Sequence, residues 1–224
     1  MKEQWIYELA CVLKMYSKFA HEFSKTRTKP WRCVEMYLSD NIKSRSGPAK
    51  QPTLLDAGCG NGRNLAAALE AGYEAKGFDI CPEFVELCKL RGFNVSVGSI
   101  ESSIDGTYDS ILCIAVLHHL QTEDARQYAL QNLYEALNPG GSLLVTVWSY
   151  ESEGARYPKS FHIGDNIVPW KSLYGKGTSD RYYYIYDKST LDSFLDLFKR
   201  HNPDASVHLT WEEQNWIFEI KKPQ

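Results

Sequence analysis

Residues 54–62 read Leu54-Leu55-Asp56-Ala57-Gly58-Cys59-Gly60-Asn61-Gly62, and Arg63-Asn64-Leu65-Ala66-Ala67-Ala68-Leu69 follows at once. Two apolar residues and an acid running into three alternate glycines describe a buried strand, a tight turn and a helix start. Backbone amides there lie open to a ligand because no side chains intervene. The spacing is Gly-x-Gly-x-Gly, one residue shorter than the Gly-x-Gly-x-x-Gly turn that seats a pyrophosphate on a helix N-terminus. The short strand Ala75-Lys76-Gly77-Phe78 ends in Asp79, 21 residues after Gly58. In nucleoside-binding α/β folds an acid about 20 residues on accepts hydrogen bonds from the ribose hydroxyls. Asp79 is also placed to cap a helix that begins at Cys81-Pro82-Glu83, and the two roles are compatible.

Outward from this turn, strands and helices alternate. Strands are expected near 53–57, 74–79, 93–98, 109–116 and 141–148, with helices near 62–71, 82–91 and 122–137 between them. Asn138-Pro139-Gly140-Gly141 reads as a helix stop and a turn into the fifth strand. Ahead of this core, Trp5, Ile6, Leu9, Val12, Leu13 and Tyr16 recur at helical spacing over residues 3–18, and Pro30-Trp31 opens a second helix to about Ile42. Residues 43–52 are a polar linker. The pattern dissolves from Ser149 to Asp180, a stretch long enough to suggest a functional loop. Strands resume at 181–186, 207–210 and 216–220, around a helix at 189–200. The expected fold is α/β: a doubly wound, seven-stranded, mostly parallel sheet with an N-terminal helical extension and ligand sites at the carboxyl ends of its strands. One domain spans 1–224, divided into the extension (1–50), a cofactor-binding core (51–150), a substrate loop (151–180) and closing strands and helix (181–224).

At 224 residues and 43% hydrophobic, the chain can bury one sizeable core. Its longest apolar run, Ile111 to Leu117, is far too short to span a membrane. The six cysteines at 11, 33, 59, 81, 88 and 113 form no Cys-x-x-Cys pair, so neither a zinc site nor a disulfide framework is expected. With no apolar signal region after Met1-Lys2-Glu3-Gln4, a cytoplasmic or nuclear location is the expectation. Net charge is −3, yet residues 1–50 carry ten Lys/Arg against five Asp/Glu. A basic lobe on an acidic body suits a phosphate-bearing substrate and equally a solvated charged face.

The Asp56–Gly62 turn resembles the first motif of the class I S-adenosylmethionine-dependent methyltransferases, whose ligand carries no phosphate. A closer resemblance covers most of the chain. Phe23-Ser24-x-Thr26-Arg27-x-Lys29-Pro30-Trp31, Ile114-Ala115-Val116-Leu117-His118-His119, Val168-Pro169-Trp170, Arg181-Tyr182-Tyr183 and Asn215-Trp216 are similar to motifs of the eukaryotic tRNA wobble-uridine carboxymethyl methyltransferases. Those enzymes methyl-esterify 5-carboxymethyluridine in the anticodon loop of tRNA. The resemblance implies S-adenosylmethionine as cofactor, held by Asp56, Gly58, Gly60, Gly62, Asp79, Ile80, Ser99, Ile100, Ile114 and Ala115. It implies tRNA as partner, no metal, and a small zinc-binding activator protein that adds to a sheet edge, for which strand 93–97 is the candidate. Three departures stand out: Ser99 where the family usually has an acid near the adenine, Tyr184 where it has His, and a shorter loop before Arg181.

A carboxymethyl carboxylate is already ionised at neutral pH and can attack a sulfonium methyl without a general base. The protein then has to position the reacting atoms. Arg27 and Arg181 are the candidates to orient that carboxylate through their guanidinium forks, although Arg27 could instead hold the carboxylate of the cofactor. His118 is assigned to substrate contact at the end of the fourth strand; neighbouring His118 and His119 would point apart and grip no shared metal. Trp31, Trp170, Tyr182 and Tyr183 are candidates to stack an unpaired base, with one of the two tyrosines in the core. Asp165 and Asn215 are polar candidates for reading the uracil edge. Two other readings remain open: a small-molecule methyltransferase of the same fold, and an inactive cofactor-binding subunit.

Overall fold

A computed structural model describes residues 2–43, 50–151, 161–172 and 177–224. Most of the expected linker, and parts of the expected substrate loop, lie outside the described residues. The chain begins with α1 (Lys2–Thr26), eight residues longer at its C-terminal end than the periodicity predicts, and α2 (Arg32–Lys43). The alternating core follows: β1 (Thr53–Ala57), α3 (Arg63–Glu70), β2 (Glu74–Asp79), α4 (Pro82–Leu90), β3 (Val95–Val97), β4 (Tyr108–Ile114), α5 (Glu123–Glu135) and β5 (Leu137–Trp148). Then come β6 (Gly164–Lys171), β7 (Thr178–Ile185), α6 (Lys188–His201), β8 (Ser206–Glu212) and β9 (Asn215–Lys221).

Seven strands form one sheet in the order β3-β2-β1-β4-β5-β9-β8. The first five pair in parallel, while β9 runs antiparallel to both β5 and β8. Alternate residues of the central strands bury opposite faces, as the pleat requires. Leu55, Ile111, Cys113 and Val145 join α5 and α6, whereas Leu54, Leu112 and Leu144 join α2, α3 and α4. Both faces are thus covered, which is why these strands read as continuous apolar runs rather than alternating ones. The chain leaves β1 toward β2 and β3 on one side and continues as β4 and β5 on the other. The crevice at this reversal, above the carboxyl ends of β1 and β4, is the place where a doubly wound sheet offers a ligand site.

Local chemistry accounts for the helix starts. The Thr122 Oγ1 accepts from the Ala125 amide at 3.1 Å, and Asp187 with Thr190 closes a capping box ahead of α6. Two expectations change. Residues 138–141 do not form a free turn: β5 already begins at Leu137, because the Tyr108 amide bonds to Ala136 O and the Gly140 amide to Pro223 O. The stretch 164–171, expected as loop, is strand β6. It pairs residue by residue with β7 in a separate two-stranded sheet, joined to the main one by the Ser149–Tyr186 bridge. Its Pro169 and Gly164 masked this in the sequence; Pro is tolerated because β6 has a partner on one side only.

Candidate active site

The glycine turn is held from below. Gly58 and Cys59 amides both donate to Phe78 O, at 2.8 and 2.9 Å. Gly58, Gly60 and Gly62 all have positive φ, between 52° and 82°, where L side chains are strained. A Cβ on Gly58 would also collide with the Val116 side chain, and one on Gly62 would lie 2.7 Å from Phe93 Cδ2. Gly60 faces open space on the cavity side.

Asp79 ends β2 inside the same cavity. Its Oδ2 accepts from the Gly60 amide at 2.8 Å and its Oδ1 from the Cys81 amide at 2.9 Å. Cys81, not Asp79, is the N-cap of α4. Each carboxylate oxygen keeps a lone pair for a further donor such as a ribose hydroxyl. Burial pushes the Asp79 carboxyl up to about 6, against the pull of those two amides. Asp56 lies beneath the turn, fully buried, with neither oxygen hydrogen-bonded. Burial pushes it up to about 7; the nearby Asn64 amide opposes the shift and Asp79 adds to it.

Eight of the expected cofactor residues line the cavity: Gly58, Gly60, Asp79, Ile80, Ser99, Ile100, Ile114 and Ala115. Asp56 and Gly62 support it from behind. Ala115 has φ +59°, uncommon for a residue with a Cβ, and Thr146 holds its amide through both O (3.2 Å) and Oγ1 (2.9 Å). The Ser99 Oγ accepts from the Glu101 amide at 3.1 Å. The half-buried Glu101 also lines the cavity, its carboxyl raised by burial, so an acid is present two residues after the position where the sequence lacks one.

Beyond the turn the cavity is walled by Tyr16, Phe23, Trp31, Phe84, Trp148 and Tyr183 and crowned by Arg27 and Arg181. Helix α1 brings Tyr16 and Phe23, and Arg27 follows its end. Asn61 in the glycine turn fixes that end by donating to Arg27 O at 2.8 Å. The Arg27 guanidinium lies 3.8 Å over the Phe23 ring, and that of Arg181 lies 5.0 Å from the Tyr183 ring. Burial lowers the Arg27 pKa and the neighbouring Arg181 charge lowers it further. Burial works against the Arg181 charge; Tyr183 and Tyr16 raise its pKa against that, Tyr183 through a phenolate that burial disfavours and that is absent at neutral pH. Arg181 is buried and its Nε has no partner. Among the described residues, neither guanidinium forms an ion pair with a carboxylate.

Strand alternation separates the remaining candidates. Arg181 and Tyr183 share the cavity face of β7; Tyr182 and Tyr184 take the other face. Tyr182 donates to Asp165 Oδ1 at 2.5 Å and to Gln121 O at 3.1 Å, which places both Tyr182 and Asp165 away from the cavity. Tyr184 lies beneath the Arg126 guanidinium at 3.8 Å and off the cavity wall, so its difference from His falls outside the site. Trp170 packs on Phe19 of α1, ring centroids 4.5 Å apart, instead of facing a base. Asn215 is buried, its amide on Glu213 O, and does not reach the cavity.

Of the two histidines, the one expected at the substrate, His118, lies in the core, and its neighbour His119 takes the cavity wall. His118 is fully buried, stacked on Tyr183 at 4.6 Å, and its Nδ1 accepts from the Trp148 amide at 3.2 Å. It does not line the cavity, because a short 3₁₀ turn, Leu117–His119, follows β4 where extended chain was assumed. His119 is the one in the wall. Its Nδ1 bonds to Tyr182 O at 2.9 Å and so carries the proton, leaving Nε2 to accept from the Tyr16 hydroxyl at 3.2 Å. Burial pushes His119 down to about 4, and it is neutral at physiological pH. Tyr16, Phe23, Phe84 and Trp148 went unread in the sequence because their apolar spacing is indistinguishable from core packing.

Comparison with known proteins gives this geometry a context. Residues 55–145 match the methyltransferase-domain family. The tRNA (carboxymethyluridine(34)-5-O)-methyltransferase of Arabidopsis thaliana is 35% identical over 147 residues, 63% of this chain and 33% of that protein. The Schizosaccharomyces pombe protein of the same name is 29% identical over 210 residues, covering 85% of this chain and 88% of the relative. The chain spans about a third of the length of several curated relatives it matches. Among solved structures, the 1,6-didemethyltoxoflavin-N1-methyltransferase of Burkholderia thailandensis superposes with a TM-score of 0.64 at 18% identity, over 98% of this chain and 91% of that one. At that identity the likeness is one of fold.

Proposed function

Since this chain belongs to the class I S-adenosylmethionine-dependent methyltransferases, we propose that it methylates the carboxylate of 5-carboxymethyluridine at the tRNA wobble position, giving the methyl ester. The observation that carries this reading is the buried Arg181 guanidinium beside the half-buried one of Arg27, in one cavity with the cofactor motifs and, among the described residues, without a carboxylate partner. An unpaired buried charge costs several kcal/mol. A substrate carboxylate removes that cost, and each charge-assisted hydrogen bond contributes about 1.5–3 kcal/mol.

The residues at the turn fit S-adenosylmethionine. Gly58 and Gly60 leave a cradle that side chains would fill, Asp79 has acceptor capacity for ribose hydroxyls, and Glu101 with Ser99 and Ile100 forms a rim for the base. The buried Asp56 carboxyl, raised to about 7, lies behind the turn, and its ionised form adds negative potential toward a cationic ligand. When bound, the cofactor supplies an electrophilic sulfonium methyl group.

Everything else falls to the side chains of the cavity. Arg181 and Arg27 hold the substrate carboxylate in its ionised form and aim one oxygen. Trp31, half-buried in the cavity wall, offers a ring to a heteroaromatic base, while Trp148 and Tyr183, packed on each other at 4.3 Å, close the wall and exclude water. Neutral His119, its Nε2 engaged by Tyr16, holds Tyr16 beside Arg181 and accepts no proton in the step. Partnership with a zinc-binding activator is part of the same proposal. β3 is an edge strand whose Val97 is exposed, and Leu90 at the end of α4 is also exposed, an arrangement open to strand addition. The test is nucleoside analysis of tRNA from cells lacking this protein. Unesterified 5-carboxymethyluridine should accumulate, and unchanged ester levels would refute the substrate.

A further inference from the structure

We propose that Cys59 and Cys88 are an oxidative modification site, a thiol pair that a peroxide converts to a disulfide closing the cofactor turn. Cys59 stands in the turn and lines the cavity. Cys88, buried on α4, donates to Gly60 O at 3.2 Å, and the Cys59 thiol faces the same carbonyl at 4.0 Å. The two thiols thus meet at one acceptor. They lie directly under the turn: a Cβ on Gly62 would be 2.9 Å from Cys88 Sγ. Both cysteines are free. Cys59 is the member of the pair that faces the cavity and a small oxidant there; Cys88 lies fully buried behind it.

The pair is also asymmetric in access: Cys59 lines the cavity, whereas Cys88 is fully buried and its thiol is held on Gly60 O. Access selects the thiol that reacts first. Cys59 sulfur attacks one oxygen of hydrogen peroxide, breaking the O–O bond and giving Cys59 sulfenic acid, while its proton and the departing hydroxide leave as water. Cys88 sulfur then displaces the sulfenic oxygen, forming the S–S bond, and its thiol proton leaves with that oxygen as a second water. The net change is two thiols and one peroxide to one disulfide and two waters.

A disulfide bond of about 2.05 Å is much shorter than a thiol–thiol contact, so Cys59 must move toward α4. The Gly60 amide, which Asp79 holds at 2.8 Å, moves with it. Oxidation and cofactor binding therefore oppose each other, and by reciprocity a bound cofactor protects the thiols. This second half rests on the cofactor reading above; the thiol chemistry does not.

The experiment treats the wild-type chain with hydrogen peroxide, with and without S-adenosylhomocysteine, and follows it by non-reducing peptide mapping and calorimetry. A Cys59–Cys88 crosslink should appear, at least about tenfold weaker S-adenosylhomocysteine binding should accompany it, and a thiol reductant should restore affinity. Saturating S-adenosylhomocysteine should slow the crosslink, and the Cys88→Ser variant should keep its affinity through peroxide treatment. Separate sulfinic acids in place of a crosslink would overturn the proposal, as would a crosslinked protein of full affinity. A reduced wild-type chain that binds no S-adenosylhomocysteine would sink the cofactor reading alone, while the peptide map would still decide the thiol pair.

Discussion

Replacing Arg181 by methionine separates a functional charge from a structural one. Arg181 is buried, its Nε is unpartnered, and no carboxylate faces it among the described residues. Methionine keeps the length and apolar stem of the side chain and removes the charge. Against the several kcal/mol that an unpaired buried ion costs stand the lost cation–ring contact with Tyr183 at 5.0 Å and the lost neighbourhood of Tyr16. These are together about 1–3 kcal/mol. The free protein should therefore be as stable as wild type or more stable by about 1–2 kcal/mol. For a chain of this length that is roughly 2–8 °C in Tm, read by thermal denaturation. S-adenosylhomocysteine affinity, measured by calorimetry, should be unchanged. The kcat/KM for methylation of carboxymethyluridine tRNA should fall by roughly 10²–10⁴, the loss of two charge-assisted bonds at about 1.5–3 kcal/mol each. The Arg181→Lys variant, which keeps the charge and loses the fork, should fall in between. If Arg181→Met lowers Tm by several degrees and leaves kcat/KM intact, the guanidinium is structural and the carboxylate argument fails.

Three other substitutions probe the turn and the edge. Asp56, held up near 7 in the folded state, is ionised at pH 8 at a cost that its protonated form avoids. The raised pKa stabilises the fold as pH falls from about 7 toward about 4, while the depressed His118 and His119 work in the opposite direction below about 6.5. The clean readout is thus a difference: Asp56→Asn should be more stable than wild type at pH 8, with the gap closing by pH 5 in parallel denaturation curves. A gap independent of pH would show that Asp56 does not titrate there. Gly58→Ala combines φ +82° with a clash against Val116; it should cost about 1–3 kcal/mol and abolish S-adenosylhomocysteine binding. Adding Val116→Ala should recover the clash and not the strain, as thermal shift would show. Val97→Asp on exposed β3 should leave fold and cofactor affinity intact while removing association with a zinc-binding activator in co-expression pull-downs. Undiminished association would place the activator elsewhere.

Much of the core was legible because its signals are local. A strand ending in an acid, glycines that must take positive φ, and Asp79 at a set distance are consequences of neighbouring residues. So are the helix starts at Pro82 and Thr122. The failures share a different cause. β6 is a strand because β7 pairs with it, and no property of residues 164–171 announces that partner. His118 and His119 are adjacent, and the 3₁₀ turn that sends one into the core and the other to the wall is set by β5, through Trp148, and by Tyr182 on β7. Trp170 and Asn215 belong to the family-like motifs and Asp165 is a polar candidate just ahead of one, yet they face Phe19, Glu213 and Tyr182.

The sequence by itself determined the sheet, the turn and the acid at its rim, because backbone sterics and hydrophobic alternation act over a few residues. Only the tertiary structure decided which side chains meet above that turn. Arg27 follows a helix at one end of the chain and Arg181 sits on a strand near the other, and Asn61 and Tyr16 bring them to one cavity. Residues more than 150 positions apart share a charge balance that no window of sequence contains. That no carboxylate among the described residues pairs with either guanidinium, the strongest clue to the substrate, is therefore visible only in three dimensions.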